Sequence, residues 1–205
     1  MDAELLARAP AGPVVVLAGA AAPGRDYDTA SANGARWYAG LGAAAVQIAP
    51  DPRAAGAEAA ATTAVVESAG MVVLPGGSPQ RLLTMLQGPV GEAVRRAHER
   101  GAALVGSSAG AMVLAAATYL PERGTSAPAL GLVPGAAVLP HYSRVRGDWL
   151  RALPAGLLVL GIPEATGLLL TTGESPHAGA VLGVGTVQRL HAEGPPPVGD
   201  GPSES

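Results

Sequence analysis

Short apolar runs alternate with longer segments that carry their charged residues at helical spacing through the first half of the chain. A run that is apolar at nearly every position indicates a strand buried on both faces, which is typical of a parallel sheet covered by helices on both sides. The pattern therefore predicts an α/β fold built on a mostly parallel sheet. Strands are predicted at 13–18, 43–48, 71–74 and 102–105, and helices at 28–41, 58–69, 79–86, 90–100 and from the Ser108 turn to about residue 117.

The pattern becomes richer in strands after Tyr119. We expect a loop at 124–128, a short helix at 148–153, and strands at 130–139, 157–160 and 168–171. Two further strands, 180–182 and 186–190, are predicted to form a closing β-hairpin about Gly183-Val184-Gly185. From Ala192 the chain is rich in Gly, Pro, Ser and Glu, so residues 192–205 are predicted to be a disordered tail after a single α/β domain at 1–191.

Composition narrows the classes of function. The chain has 205 residues, enough for one domain with a full core, and contains no cysteine, which excludes disulfides, a thiolate nucleophile and a Cys-ligated metal. A net charge of −3 with scattered arginines argues against nucleic-acid binding. No apolar run approaches the ~18 residues of a membrane span, and no cluster has metal-ligand spacing. We therefore expect a cytoplasmic protein without metal or cofactor; whether it forms a homo-oligomer stays open.

The segment 14–22 resembles the apolar part of a signal peptide. Asp2 and Glu4 precede it against a lone Arg8, which is the wrong charge balance for export. We therefore interpret residues 13–18 as the first core strand and not as part of a signal peptide.

The most informative motif is Gly106-Ser107-Ser108-Ala109-Gly110, which follows the apolar run ending at Val105. A strand that ends in Gly-x-Ser-x-Gly and enters a helix holds its central serine on a sharp, exposed turn. Such a turn exposes the Ser108 hydroxyl as a nucleophile and lets the Ala109 N–H stabilise a developing oxyanion. Ser107 is the weaker candidate, and an ordinary glycine-rich loop is the alternative.

A serine nucleophile needs a base, usually a histidine oriented by an acid. His141 is favoured because it follows a predicted strand, where catalytic groups of parallel sheets gather, whereas His98, His177 and His191 lie in polar or terminal segments. Glu164 follows another strand and is the preferred acid; Glu122 adjoins Arg123 and is the alternative.

A second oxyanion donor is expected from a glycine-rich turn after a neighbouring strand. Leu74-Pro75-Gly76-Gly77-Ser78 fits, with Gly77 supplying the N–H. The other use of such a turn, binding phosphate, is disfavoured because the chain has no lysine and lacks the GxxxxGK[ST] pattern.

Together these pieces resemble peptidase family S51, the dipeptidase E and cyanophycinase group. The matching stretches are 75–83, 106–111, Pro140-His-Tyr-Ser-Arg144, Gly161-Ile-Pro-Glu-Ala-Thr166 and 181–187. The resemblance implies a flavodoxin-like, class I glutamine-amidotransferase-like fold and a serine peptidase acting on short peptides. It also implies Ser108 as nucleophile, His141 as base, Glu164 as acid, Gly77 and Ala109 as oxyanion donors, and Gln80 and Arg144 as substrate-binding residues.

The chain departs from this family in two places. Leu139-Pro140 stands before the histidine, where cyanophycinase-like members commonly have Asp-Gln. The Pro-His pair of this chain is closer to the dipeptidase branch. That branch is described with an aspartate downstream of the serine, and this region offers only Glu122 and Arg123. Two rival functions remain: an esterase of the α/β-hydrolase type using Ser108, Glu164 and His177 or His191, and a catalytically idle binding module.

Overall fold

The computed structural model describes residues 1–54, 56, 59–143 and 147–195. Helices alternate with strands up to residue 114, and strands dominate afterwards. The helices are α1 (Asp2–Arg8), α2 (Arg25–Gly40), α3 (Ala59–Glu67), α4 (Pro79–Leu86), α5 (Pro89–Glu99), α6 (Ala109–Leu114) and α7 (Gly147–Ala152). The strands are β1 (Val14–Val16), β2 (Val46–Ile48), β3 (Met71–Leu74), β4 (Ala103–Gly106), β5 (Ala117–Leu120), β6 (Thr125–Pro128), β7 (Ala136–Pro140), β8 (Leu158–Ile162), β9 (Thr166–Leu169), β10 (Ala180–Gly183) and β11 (Gln188–His191).

The first four strands form a parallel sheet in the order β2-β1-β3-β4. Successive side chains of a strand point to opposite faces, and the buried residues follow this rule. Val14 and Val16 pack with α1 and Tyr38 of α2, whereas Val15 packs on the opposite face with residues of α3, α4, α5 and α6. The core therefore has a helical layer on each face of the sheet, which confirms the predicted fold class.

The second half of the chain adds shorter sheets. Strands β7 and β8 are parallel, and β11 pairs antiparallel with β8. The two strands predicted for the closing hairpin are present, but β10 pairs with β9 and β11 with β8. Each of the two strands therefore pairs with an earlier strand and not with the other.

Three predictions between residues 115 and 139 are wrong. The helix after Ser108 ends at Leu114, and the predicted loop 124–128 contains β6, which forms an antiparallel hairpin with β5. The predicted strand 130–139 forms only from Ala136 onward. Its first part hydrogen-bonds to the end of α6 instead: Leu130 N–H donates to Val113 O and Leu132 N–H to Leu114 O.

Part of the predicted tail is described. Ala192 is buried and its N–H donates to Leu157 O, and the N–H of Glu193 donates to Leu150 O. The first of these bonds continues the pairing of β11 with β8, and the second attaches the chain to α7. Residues 196–205, the rest of the predicted tail, lie outside the described residues. None of the helices within the described ranges is long and apolar enough to cross a membrane.

Candidate active site

Ser108 lies on a tight turn between β4 and α6. Its φ of 51° and ψ of −114° fall in a region that non-glycine residues rarely adopt and that costs about 1–3 kcal/mol. The turn is held by Gly110 N–H, which donates to Ser107 O at 2.9 Å, and by Met112 N–H, which donates to Ser108 O at 3.1 Å. A side chain at Gly110 would overlap the Leu74 carbonyl oxygen, so glycine is required for this close approach. The motif thus forms the exposed serine turn that the sequence predicts.

The glycine-rich turn after β3 packs against Ser108. Leu74 and Gly106 are register partners in the parallel pair β3–β4, so both turns leave the same edge of the sheet. A Cβ on Gly76 would lie 3.1 Å from Ser108 Cβ and 3.6 Å from its Oγ. Within the described parts of the chain, the N–H groups of Gly77 and Ala109 have no hydrogen-bond acceptor. Two free donors therefore lie in the turns that flank the serine hydroxyl.

His141 follows β7 directly and faces Ser108. Its Nε2 lies 2.8 Å from Ser108 Oγ. The residue has a φ of 54°, and the next residue is anchored because Tyr142 N–H donates to Ile162 O at 3.0 Å. The parallel pairing of Pro140 with Ile162 brings the ends of β7 and β8 together. The imidazole is 58% exposed, so a substrate can reach the Ser108–His141 pair from solvent.

Glu164 lies in the turn between β8 and β9, and its Oε1 is 2.5 Å from His141 Nδ1. A carboxylate at this distance accepts a hydrogen bond from a protonated Nδ1. The unprotonated Nε2 then presents its lone pair to the serine hydroxyl. Ser108, His141 and Glu164 therefore form one hydrogen-bonded chain. The Glu164 side chain is 80% exposed, so the carboxylate acts in a largely aqueous environment.

The Gly183-Val184-Gly185 segment braces the acid's turn, a contribution that sequence reasoning missed. Val184 N–H donates to Ala165 O at 3.2 Å. Gly185 N–H donates to Thr166 Oγ1 at 3.0 Å, and the Thr166 hydroxyl donates to Glu164 O at 3.1 Å. Gly183 and Gly185 are visible in the sequence as a turn signal, but from the sequence they predict only a hairpin turn and no contact with the turn of Glu164.

Glu122, the alternative acid, is engaged elsewhere. Its Oε1 accepts a hydrogen bond from the Ser78 hydroxyl at 2.6 Å. This bond, aided by the positive charges of Arg81 and Arg123, holds the pKa of Glu122 below its ordinary value. Of the two candidate acids, Glu164 is the one that contacts His141.

The histidines of the esterase alternative do not lie where that mechanism needs them. His191 pairs with Leu158, at the start of β8, whereas Glu164 follows the end of the same strand. His177 lies in a loop where its carbonyl accepts a hydrogen bond from Arg189. The structure brings His141, and neither of these two, into contact with Ser108.

The remaining predicted residues are less informative. Gln80 lies in the first turn of α4, with Nε2 3.3 Å from Thr84 Oγ1. Ser107 is exposed beside the nucleophile candidate. Arg144 lies outside the described residues. In the described ranges, no group of three or more His, Asp or Glu side chains is placed to hold a metal ion.

A serine on a strained strand-to-helix turn, hydrogen-bonded to an imidazole that is hydrogen-bonded in turn to a carboxylate, is an arrangement typical of serine hydrolases. The family model of peptidase family S51 matches residues 5–170, and the chain belongs to this family. It is accordingly a serine-type peptidase.

Solved structures show the same fold. A peptidase from an acI-B1 Actinobacterium is 20% identical, with a TM-score of 0.72 over 92% of this chain and 89% of that chain. A protein from Listeria monocytogenes EGD-e that is provisionally named a peptidase E is 15% identical, with a TM-score of 0.59 over 92% of this chain and 91% of that chain. Among curated proteins, no match to this chain is found.

Proposed function

We propose that the protein hydrolyses short peptides, as a dipeptidase E does, through an acyl-enzyme formed on Ser108. The observation that carries this proposal is the continuous chain from Ser108 Oγ to His141 Nε2 at 2.8 Å and from His141 Nδ1 to Glu164 Oε1 at 2.5 Å. Family membership supports the peptidase chemistry.

In the first half of the reaction, Ser108 Oγ attacks the peptide carbonyl carbon while His141 Nε2 takes the hydroxyl proton. The carbonyl oxygen becomes an oxyanion and is stabilised by the N–H groups of Gly77 and Ala109. One such donor is worth about 3 kcal/mol of barrier. The intermediate then collapses: the C–N bond breaks, and the imidazolium gives its proton to the leaving amine.

In the second half, water attacks the acyl carbon and His141 takes a proton from that water. The C–Oγ bond breaks, the proton returns to Ser108, and the carboxylic acid product leaves. Glu164 keeps the imidazole in the tautomer with Nδ1–H and stabilises its cationic form. By the resemblance to the dipeptidase branch, Gln80 and Arg144 contact the substrate, with Arg144 binding a carboxylate. A cytoplasmic location likewise stays a prediction.

The test combines a fluorophosphonate probe with a library of dipeptides that carry acidic or neutral first residues. We expect the wild-type protein to be labelled and to cleave part of the library. Ser108→Ala should abolish both, whereas Ser107→Ala, the same change at the exposed neighbouring serine, should leave both within about twofold. Failure of the wild-type protein to label or to cleave any dipeptide would favour an idle binding module. If Ser107→Ala abolishes labelling and Ser108→Ala does not, the nucleophile is Ser107.

A further inference from the structure

Ser78, the residue after the proposed oxyanion donor Gly77, is held from three directions. Its N–H donates to Ala20 O at 3.0 Å, in the loop after β1. Its hydroxyl oxygen accepts from Arg81 N–H at 3.3 Å, which caps the start of α4. The same hydroxyl donates to Glu122 Oε1 at 2.6 Å. A half-buried serine with both hydroxyl functions and its N–H engaged fixes the position of its own peptide unit.

The contact with Glu122 joins two residues that are far apart in the sequence, and neither of them lies inside a helix or strand. Glu122 lies 44 residues away, in the turn between β5 and β6. Its side chain is exposed, yet it is held by a hydrogen bond from Ser78. Because the carboxylate is ionised at neutral pH, this is a charge-assisted bond, about twice as strong as a neutral one.

Gly77 connects Ser78 to the proposed oxyanion site. Its φ of 144° is available to glycine and strained for other residues. A Cβ there would lie 2.5 Å from Ala20 O, so the turn is already pressed against the loop after β1 on one side. The Ser78–Glu122 bond adds a restraint from a second segment, the turn between β5 and β6. The Gly77 N–H lies in the peptide unit that precedes Gly77, so a displacement of Ser78 reaches this donor through the two backbone dihedrals of a single residue, Gly77.

We propose that Glu122 is a positioning residue for the oxyanion site: by accepting the Ser78 hydroxyl, it keeps the Gly77 N–H directed at the carbonyl oxygen that Ser108 attacks. This inference rests on the proposed function. It gives the second glutamate a role that is separate from that of Glu164. A merely structural role in capping α4 would instead alter stability and leave the chemistry untouched.

The experiment measures kcat, KM, the second-order rate of fluorophosphonate labelling and the thermal midpoint. Labelling is informative because the probe's P=O oxygen develops negative charge in the same place as a peptide carbonyl oxygen. The variants are Glu122→Ala, Ser78→Ala and the double variant. Ser78→Thr is the conservative variant, since threonine keeps the hydroxyl and the helix cap. Glu99→Ala, the same change at an exposed glutamate of α5, is the matched control.

We expect Glu122→Ala to lower kcat and the labelling rate about tenfold, short of the ~10²-fold or greater loss that follows removal of a whole oxyanion donor. KM should stay within about twofold, and Glu99→Ala should match the wild type. The double variant should be no slower than Ser78→Ala, because both substitutions break one linkage. Ser78→Thr should retain most of the labelling rate.

The proposal is overturned if Glu122→Ala labels within twofold of the wild type, or if the two single effects multiply in the double variant. A fall in the thermal midpoint with kcat unchanged would equally assign Glu122 to structure alone. Failure of the proposed function looks different: the wild-type protein itself would not label, and the inference would fall with it.

Discussion

Replacing Glu164 tests the most solvent-exposed contact in the hydrogen-bonded chain of Ser108, His141 and Glu164. Glu164→Ala removes the carboxylate that lies 2.5 Å from His141 Nδ1, and Glu164→Gln keeps the shape but removes the charge. Without the carboxylate, the imidazole loses the acceptor that selects its tautomer and the negative charge that stabilises its cation. Both losses slow proton transfer from Ser108.

The exposure of Glu164 limits the size of this effect. Opposite charges about 4 Å apart attract by about 1 kcal/mol in bulk water and by about 4 kcal/mol at an effective dielectric constant of 20. These values correspond to about 5-fold and about 10³-fold in rate. Since the side chain is 80% exposed, the lower part of the range applies. With the lost orientation of the ring, we expect kcat to fall about 10- to 100-fold, less than the ~10⁴-fold cost of changing a buried triad aspartate.

The assay pairs kinetics with a spectroscopic readout. The proton shared by His141 Nδ1 and Glu164 should give a far-downfield ¹H NMR resonance that disappears in Glu164→Ala and persists in Glu122→Ala. Steady-state kinetics on a cleaved dipeptide should show the fall in kcat with KM little changed. A Glu164→Ala protein with kcat within twofold of the wild type, or with the downfield resonance intact, would refute the reasoning.

Three further predictions concern the fold and the base. Gly110→Ala should lower the free energy of unfolding by about 1–3 kcal/mol in urea titration, because the new Cβ would overlap the Leu74 carbonyl oxygen; an unchanged midpoint would contradict this. Tyr27→Phe should cost about 1 kcal/mol, since the buried hydroxyl donates to a main-chain carbonyl at 2.7 Å. Burial raises the pKa of Tyr27, so this contribution is full at neutral pH and should shrink above about pH 10, where the unfolded phenol ionises; a difference independent of pH would count against it. His177→Ala should leave kcat within about twofold while His141→Ala lowers it at least about 10³-fold, and the reverse would restore the esterase alternative.

The predictions from local pattern succeeded where one segment contains all the information. Strands β3 and β4 and helices α4 and α5 form within one residue of their predicted bounds, because their apolar runs and flanking Gly and Pro residues are unambiguous. They were poorest between residues 115 and 139, where Ala-rich sequence suits either helix or strand. There the pairing of β5 with β6, and not propensity, decided the outcome.

The catalytic roles of the site residues stay predictions, but their placement shows what sequence can and cannot supply. Glu122 and Glu164 both stand in turns after strands, so their local chemistry is nearly the same. The register of β7 on β8 brings Glu164 to His141, and the hairpin β5–β6 brings Glu122 to Ser78. Neither register is encoded near the glutamate itself.

By itself, the sequence determined the layered α/β architecture, the strained serine turn and the short set of candidate partners. These follow from apolar periodicity and from the Gly-x-Ser-x-Gly spacing after a strand, both of which are local properties of the sequence. Only the tertiary structure decided which acid meets the imidazole, that the closing glycines brace that acid's turn, and that a second glutamate holds the neighbouring oxyanion turn. Those contacts join residues far apart in the chain, and their geometry depends on how strands pair and pack.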